Sequence, residues 1–452
     1  MQTQYYSTNF LAPLVPFRDA LLKGLAPDKG LYMPTVLPVI TPKELMSYAG
    51  MPYHAVASSV LTKFIGSEVP AAEIDALCRD AYNFDVPLEK VNDNNYVMRL
   101  DRGPTASFKD FAARMMGRLM QYFLRQQNRS MLILTATSGD TGSAVASAFY
   151  NLENIKVIVL YPEKEVTDMQ RKQMTTLHRN IQIVAVSGKF DDCQHLVKQA
   201  FTDTELNHLQ LSSANSINIG RLLPQAVYYV YAYSRLIKNI PDEKIVFSVP
   251  SGNFGNLMGG LLAFKCGLPV NRFIIATNEN DEVPVYFDTD KYELIVPSRN
   301  CISSAMNVGH PSNMARIITL YGGVMNEKGD IIKSPDIEQM RRDMFAVSIN
   351  DEQTRTTIRE AYKNHGLILE PHGAVAWAGL MKYQQLHPDA GQISVALETA
   401  HPAKFPEEIR DILNIDPQLP ESLKGLNTKK EEFDTLPVDY CRFKDYLLSK
   451  KW

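Results

Sequence analysis

Six short apolar runs constrain this chain more than any other feature. MLILT begins at Met131, KVIVL spans 156–160 and IQIVAV spans 181–186; KIVFSV (244–249), RFIIAT (272–277) and QISVAL (392–397) follow. Runs this short, β-branched and nearly unbroken by polar residues belong to strands covered on both faces, as in parallel sheets. Helical stretches separate them, including Ser143 to Tyr150, Phe190 to Phe201 and Asp351 to His365, the last with a capping Asn or Asp ahead and Gly366 just past its end. The alternation predicts an α/β fold, and its two sets of strands predict two open, mostly parallel sheets flanked by helices, with a cleft between them. At 452 residues the chain exceeds one core. Residues 1 to about 97 carry Pro-punctuated helical patterns such as Pro70 to Tyr82, and no strong run of buried strands. The expected division is therefore 1–97, then 98–235 as a smaller α/β unit and 236–452 as a larger one with a tail. Beyond Pro417 that tail is charged, and Lys429-Lys430-Glu431-Glu432 reads as solvated surface.

Composition excludes several functions. A hydrophobic share of 45% with 21% charged residues is that of an ordinary globular protein. The net charge of −3 gives the whole chain no pull toward nucleic acid or anionic lipid. Cys78, Cys193, Cys266, Cys301 and Cys441 are scattered and form no C-x-x-C pair, which argues against a disulfide framework or metal site and for a reducing compartment. The polar, uncharged start does not resemble a signal peptide. The most apolar stretch, Arg221 to Lys238, is broken by Pro224, Gln225 and Ser234 and falls short of the ~20 apolar residues that span a bilayer. No H-e-x-x-H spacing and no Ser/His/Asp order is present. The expectation is a soluble cytoplasmic enzyme acting on a small molecule, without nucleic acid or membrane as partner.

Three segments could carry the chemistry. In Gly103-Pro104-Thr105-Ala106-Ser107-Phe108-Lys109-Asp110, Gly-Pro breaks regular structure and FKDFAARMMGRLMQYFL then runs on with helical spacing. Lys109 falls at or near a helix N-terminus, where the dipole disfavours a cation and lowers its pKa, as suits an amine that forms an imine. Taken alone, the segment equally fits an exposed lysine. Met115, Met116 and Met120 behind it read as core filling. Thr135-Ala136-Thr137-Ser138-Gly139-Asp140-Thr141-Gly142-Ser143 joins a strand to a helix at the strand's carboxyl end, the usual ligand position in open α/β sheets. It lacks a P-loop lysine, and a plain tight turn competes. Pro250-Ser251-Gly252-Asn253-Phe254-Gly255-Asn256-Leu257 follows KIVFSV and opens another helix, so two glycines and helix N–H donors could wrap an anion, with a plain turn as the alternative.

Weaker signals follow. Asn215, Ser216, Asn218 and Arg221 stand close together ahead of a helix and could grip a phosphate, or merely cap the helix. Glu398-Thr399-Ala400-His401-Pro402-Ala403-Lys404 ends QISVAL; His401 alone fits a structural histidine. Glu370-Pro371-His372-Gly373 reads as a helix cap.

Together these segments resemble the threonine synthases, within the tryptophan-synthase-like (fold type II) pyridoxal-phosphate enzymes. The resemblance runs from Gly24-Leu25-Ala26-Pro27-Asp28-Lys29-Gly30-Leu31-Tyr32-Met33-Pro34 to AHPAKF, with GPTxxFKD, TSGDTGSA, NSxN and PSGNFGN between in the family's order. It implies conversion of O-phosphohomoserine and water to threonine and phosphate, with pyridoxal 5'-phosphate in the cleft between the sheets. By the same resemblance Lys109 holds the cofactor as an imine, and Gly252, Asn253, Phe254, Gly255 and Asn256 hold its phosphate. Thr399 faces the pyridine nitrogen and Asp140 lies near the 3′-oxygen. Thr137, Ser138 and Thr141 receive the substrate carboxylate; Asn215, Ser216, Asn218 and Arg221 receive its phosphate. Residues 1–97 become a cap, and the protein a monomer or homodimer. Asp101-Arg102 and Glu398 depart from the usual Phe-His and Gly; Arg102 could sit near the phosphate or face solvent, and Glu398 could crowd the pyridine edge. The rivals are a threonine or serine dehydratase of the same fold and a non-catalytic module that binds phosphorylated ligands.

Overall fold

The computed structural model describes residues 3–137, 139–238, 243–388 and 391–450. Its two large sheets are those expected from the apolar runs. The smaller has five parallel strands in the order Asp434–Leu436, Ile181–Val186, Ile155–Pro162, Met131–Ala136, Leu211–Ser212. The larger has six, in the order Met344–Ser348, Val270–Thr277, Ile245–Pro250, Ser394–Glu398, Asn95–Arg99, Leu88–Lys90. All its pairs are parallel except the last. Helices cover both, and the central strands are buried along their whole length. This is the packing that continuous apolar runs require, since neither face offers water to a polar side chain.

Sheet membership departs from the sequence division at both ends. The boundary drawn at 97/98 falls inside Asn95–Arg99, which pairs with Ser394–Glu398 in the larger sheet. The run NYVMR hides its burial because Arg99 enters the core paired with Asp101, its Nη2 at 2.5 Å from Oδ2. The tail is more than solvated surface: Asp434–Leu436 adds a strand to the smaller sheet, and the helix Tyr440–Ser449 buries Phe443 and Leu447. Lys430 and Glu432 pair with each other in solvent, but Glu431 accepts from the Arg171 guanidinium at 2.9 Å and from Thr175 at 2.6 Å.

Two helices position the cleft. The helix Ile219–Leu236 is buried along most of its length, packing against Tyr53–Ile65, Lys109–Gln127 and Gly255–Lys265. No helix among the described residues is long and apolar enough to cross a membrane. Lys109–Gln127 is fixed by Phe111, two residues after Lys109. Its ring meets Tyr53, Phe84 and Tyr228 edge-on at centroid distances of 5.2, 5.1 and 5.6 Å. Each such pair contributes ~1 kcal/mol beyond area burial, so the first turn of this helix is rigid. Met115, Met116 and Met120 are fully buried core.

Candidate active site

The Lys109 turn is bound to the end of the larger sheet. Phe108 N–H donates to the Thr399 carbonyl at 2.8 Å, His401 N–H donates to Ala106, and Ser107 bridges Ala400. Asp110 closes the turn by accepting from the Thr105 N–H and hydroxyl at 2.8 and 2.7 Å. Lys109 is the first residue of its helix, with its side chain 12% exposed. Burial, with Lys404 and Arg221 nearby, pushes its pKa down against the pull of Asp140.

Asp140 opens the helix Asp140–Phe149 at the carboxyl end of Met131–Ala136. Its Oδ2 lies 3.6 Å from the Lys109 amine, while Oδ1 receives Lys404 at 2.6 Å and the Gln170 amide at 3.0 Å. Burial alone would push this carboxyl up, but Lys404 and Lys109 hold it well below the usual range. The two sheets therefore meet through charge. In the same loop the Thr137 hydroxyl oxygen accepts from the N–H groups of Gly139 and Gly142, which makes it the pin of the turn. Thr141 is half-buried on the first turn of the helix, and Ser138 lies outside the described residues.

The second loop leaves the neighbouring strand on the same edge. Ile245–Pro250 pairs parallel with Ser394–Glu398, so residues 251–255 and Thr399 emerge side by side. Phe254 adopts φ 60° to aim the chain into the helix Gly255–Lys265. Gly252 is required where it stands, because a Cβ there would lie 2.8 Å from the Ala305 carbonyl oxygen. Asn256 presents its Oδ1 to the hydroxyls of Tyr228 and Tyr229, leaving a buried Nδ2 with no partner among the described residues. A spare donor on the first turn of a helix, beside its N–H groups, is what an anion site needs.

A third loop lies against the second, since a Cβ built on Gly255 would come 3.5 Å from Ser216 Cβ. Arg221 is 3% exposed and has no carboxylate partner among the described residues; its Nη1 donates to the Ala214 carbonyl at 2.6 Å and its Nε is unpartnered. Burial pulls its pKa down to about 10. An isolated buried cation is costly, so the position fits an arriving anion. Asn215 and Ser216 are half-buried. Asn218 differs: its amide is spent on the Leu21 and Ser213 carbonyls and on the Gly220 N–H, so it builds the loop.

Sequence reasoning missed the residues that join these loops. Asn313 donates its Nδ2 to the carbonyls of Asn253 (2.9 Å) and Ser216 (3.3 Å). Arg316, fully buried, donates to the carbonyls of Tyr32, Ser216 and Ile217. Ser-Asn ahead of a helix at 312–313 was the one available signal. Gln170 and Lys404 were missed as well.

Thr399 is buried, and its hydroxyl donates to Glu370 Oε1 at 3.4 Å. Glu370 caps its helix and also takes His372 Nδ1 on Oε2, while His372 Nε2 accepts the Ala305 N–H. Glu398 turns to the other side, where its Oε1 accepts the Glu370 N–H and its Oε2 fills the space a Cβ on Gly373 would occupy. Arg102 pairs loosely with Glu89 and Asp101 at 3.6 Å and faces solvent. His401 caps the turn Pro402–Lys404 through Nδ1, and burial lowers its pKa to about 4.

Comparison with known proteins fits this geometry. Residues 83–397 match the family described as pyridoxal-phosphate dependent enzyme, residues 4–82 the threonine synthase N terminus and residues 373–447 the threonine synthase C-terminal family. A threonine synthase from Haemophilus influenzae is 40% identical over 435 residues, covering 96% of this chain and 97% of that protein. A pyridoxal-phosphate-bound threonine synthase structure from Brucella melitensis superposes with TM-score 0.91 at 35% identity, covering 98% of each chain. That from Escherichia coli gives 0.88 at 37% identity, covering 99% of this chain and all of the other. With matches from residue 4 to residue 447 and relatives aligned end to end, the chain belongs to the threonine synthase family of pyridoxal-phosphate-dependent enzymes.

Proposed function

We propose that the cluster around Lys109 converts O-phosphohomoserine and water to threonine and phosphate. The single observation that carries the reading is the buried Arg221, a cation in ion-pair contact with no carboxylate among the described residues and set beside a loop of small polar residues. A site built for an amino acid lacking a distal phosphate would leave that charge uncompensated.

The residues present fit pyridoxal phosphate. Gly252 leaves a bare backbone cradle, Asn256 Nδ2 is an unpartnered donor, and the helix Gly255–Lys265 offers its N-terminus to the cofactor phosphate. Asn253, Phe254 and Gly255 complete that wrap. Lys109 would hold the cofactor covalently, Thr399 would meet its ring nitrogen and Asp140 its ring oxygen. When bound, the cofactor supplies an electron sink that acidifies the carbons next to the substrate nitrogen.

The chain's own groups supply the rest. Thr141, Ser138 and the N–H groups of the loop pinned by Thr137 receive the substrate carboxylate. Asn215, Ser216 and Arg221 receive the substrate phosphate, with Asn218 holding their loop in shape. Lys109, once free, removes the proton at the α-carbon and then one at the β-carbon, so that the γ-carbon–oxygen bond to phosphate breaks, and it delivers a proton at the γ-carbon. A depressed pKa suits an amine that acts alternately as base and acid near neutral pH. Arg221 gains strength as charge gathers on the departing phosphate, so it contributes to rate as well as binding. Water then gives its hydroxyl to the β-carbon, and Lys109 returns a proton to the α-carbon. Five free thiols, four of them buried, support a cytoplasmic setting.

The test is to supply O-phosphohomoserine and quantify threonine, phosphate and 2-oxo acid together. Equal threonine and phosphate is the expected result. Phosphate accompanied by 2-oxo acid, or brisk serine deamination with no use of the phosphate ester, would assign the site to a dehydratase instead.

A further inference from the structure

Lys404 enters the site from the turn Pro402–Lys404, and no step above uses it. Its side chain is fully buried, with Nζ 2.6 Å from Asp140 Oδ1 and 3.1 Å from the Thr105 carbonyl oxygen. Gln170 donates to the same Asp140 oxygen at 3.0 Å. Lys109 lies 3.6 Å from the opposite oxygen, outside the 2.7–2.9 Å of a charge-assisted hydrogen bond. Two buried lysines thus share one carboxylate, and the lysine that holds it tightly is the one that does not react. The other groups facing this cluster are Arg221 and Glu370 toward Lys109, His372 toward Asp140, and Asp110 and His401 toward Lys404. The His372 ring nitrogens are engaged elsewhere, Nε2 with the Ala305 N–H and Nδ1 with Glu370.

We propose that Lys404 is a positioning residue: by holding Asp140 on its far oxygen it keeps that carboxylate from closing a full ion pair with Lys109, and so leaves the Lys109 amine available as a free base. A buried ion pair contributes little net stability, so a purely structural tie between the two loops would give a fully buried lysine little advantage over an apolar residue. The positive end of the helix Asp140–Phe149 reinforces the arrangement by favouring an ionised Asp140. The idea rests on Lys109 being the attachment point, because attachment requires the unprotonated amine.

The experiment loads the full chain with pyridoxal phosphate, dialyses it at steps from acid to alkaline pH and measures the fraction retained. In Lys404→Gln the released Asp140 swings to Lys109, and the retention midpoint rises by about one pH unit, roughly a tenfold loss of retention below both midpoints. Lys404→Arg, which keeps the charge, holds the parental midpoint. Gln170→Glu reaches the same point without touching the lysine: a second carboxylate takes Lys404, frees Asp140 for Lys109 and raises the midpoint. An unmoved midpoint in folded Lys404→Gln overturns the proposal, and so does an unmoved midpoint in Gln170→Glu should the first variant not fold. Lys109→Ala separates the two layers, since a parental pH profile there would sink the assignment of Lys109 itself.

Discussion

The Tyr229 hydroxyl donates to Asn256 Oδ1 at 2.7 Å, joined there by Tyr228 from the same helix, and so leaves Nδ2 as the free end of that buried amide. In this orientation Oδ1 accepts both O–H groups, and the Tyr229 hydroxyl also lies 3.1 Å from the Asn256 main-chain oxygen. The phenols therefore keep a donor ready beside the Gly252–Gly255 turn, although neither is expected to touch the cofactor.

Removing them frees the amide to rotate. Tyr228→Phe and Tyr229→Phe should each weaken pyridoxal phosphate binding by about fivefold, the equivalent of one hydrogen bond of ~1 kcal/mol. Equilibrium dialysis of each variant measures this. Parental affinity in the double variant would show that Asn256 plays no part in binding.

Arg221 gives a prediction in which stability and activity part company. Arg221→Met should lower kcat/KM for the phosphorylated substrate by about a hundredfold or more, as a lost charge donor does at a reacting centre. Its cofactor-free form should unfold no earlier than the parent, because the arginine is buried without a carboxylate and its removal relieves a desolvation cost. Steady-state kinetics and a thermal melt on the same preparations check both. A destabilised variant with normal kinetics would make Arg221 a structural residue only.

Legibility in the sequence followed burial chemistry. Continuous apolar runs announced the central strands; Asn95–Arg99 and Asp434–Leu436 lack such runs, since Arg99 enters the core only as a pair with Asp101, and Asp434 and Thr435 stay exposed. Lys109 at a helix start and the two strand-to-helix loops were readable because local geometry makes them: a Gly-Pro break, or glycines after a strand. Roles that depend on tertiary partners were not. Asn215 and Asn218 are the same residue type three positions apart, yet only the Leu21 carbonyl shows that Asn218 is committed to the loop. Lys404 lies nearly three hundred residues from Lys109 and shares a counter-ion with it. No pattern along the chain records that.

Glu282 sets a pH limit on stability away from the site. It begins the helix Glu282–Thr289, is 3% exposed and has no hydrogen-bond partner among the described residues for either carboxylate oxygen. Burial pushes its pKa up to about 8. Below about pH 4.5 the carboxyl is neutral in both folded and unfolded chains; above it only the unfolded chain ionises, so stability falls as pH rises toward 8. Glu282→Gln should remove that slope, on the order of 4 kcal/mol at most across the window. Urea midpoints at pH 5 and pH 8.5 test it, and an equal slope in parent and variant would be the contrary result.

The most direct measurement compares parent and Lys109→Ala, each supplied with pyridoxal phosphate and O-phosphohomoserine, by the threonine and phosphate they release. The parent should release both in equal amounts, and the variant should fall by at least ~10³-fold in both, because its only base at the reacting carbons is gone. Threonine formation at the parental rate in Lys109→Ala would contradict the placement of the reaction at this amine.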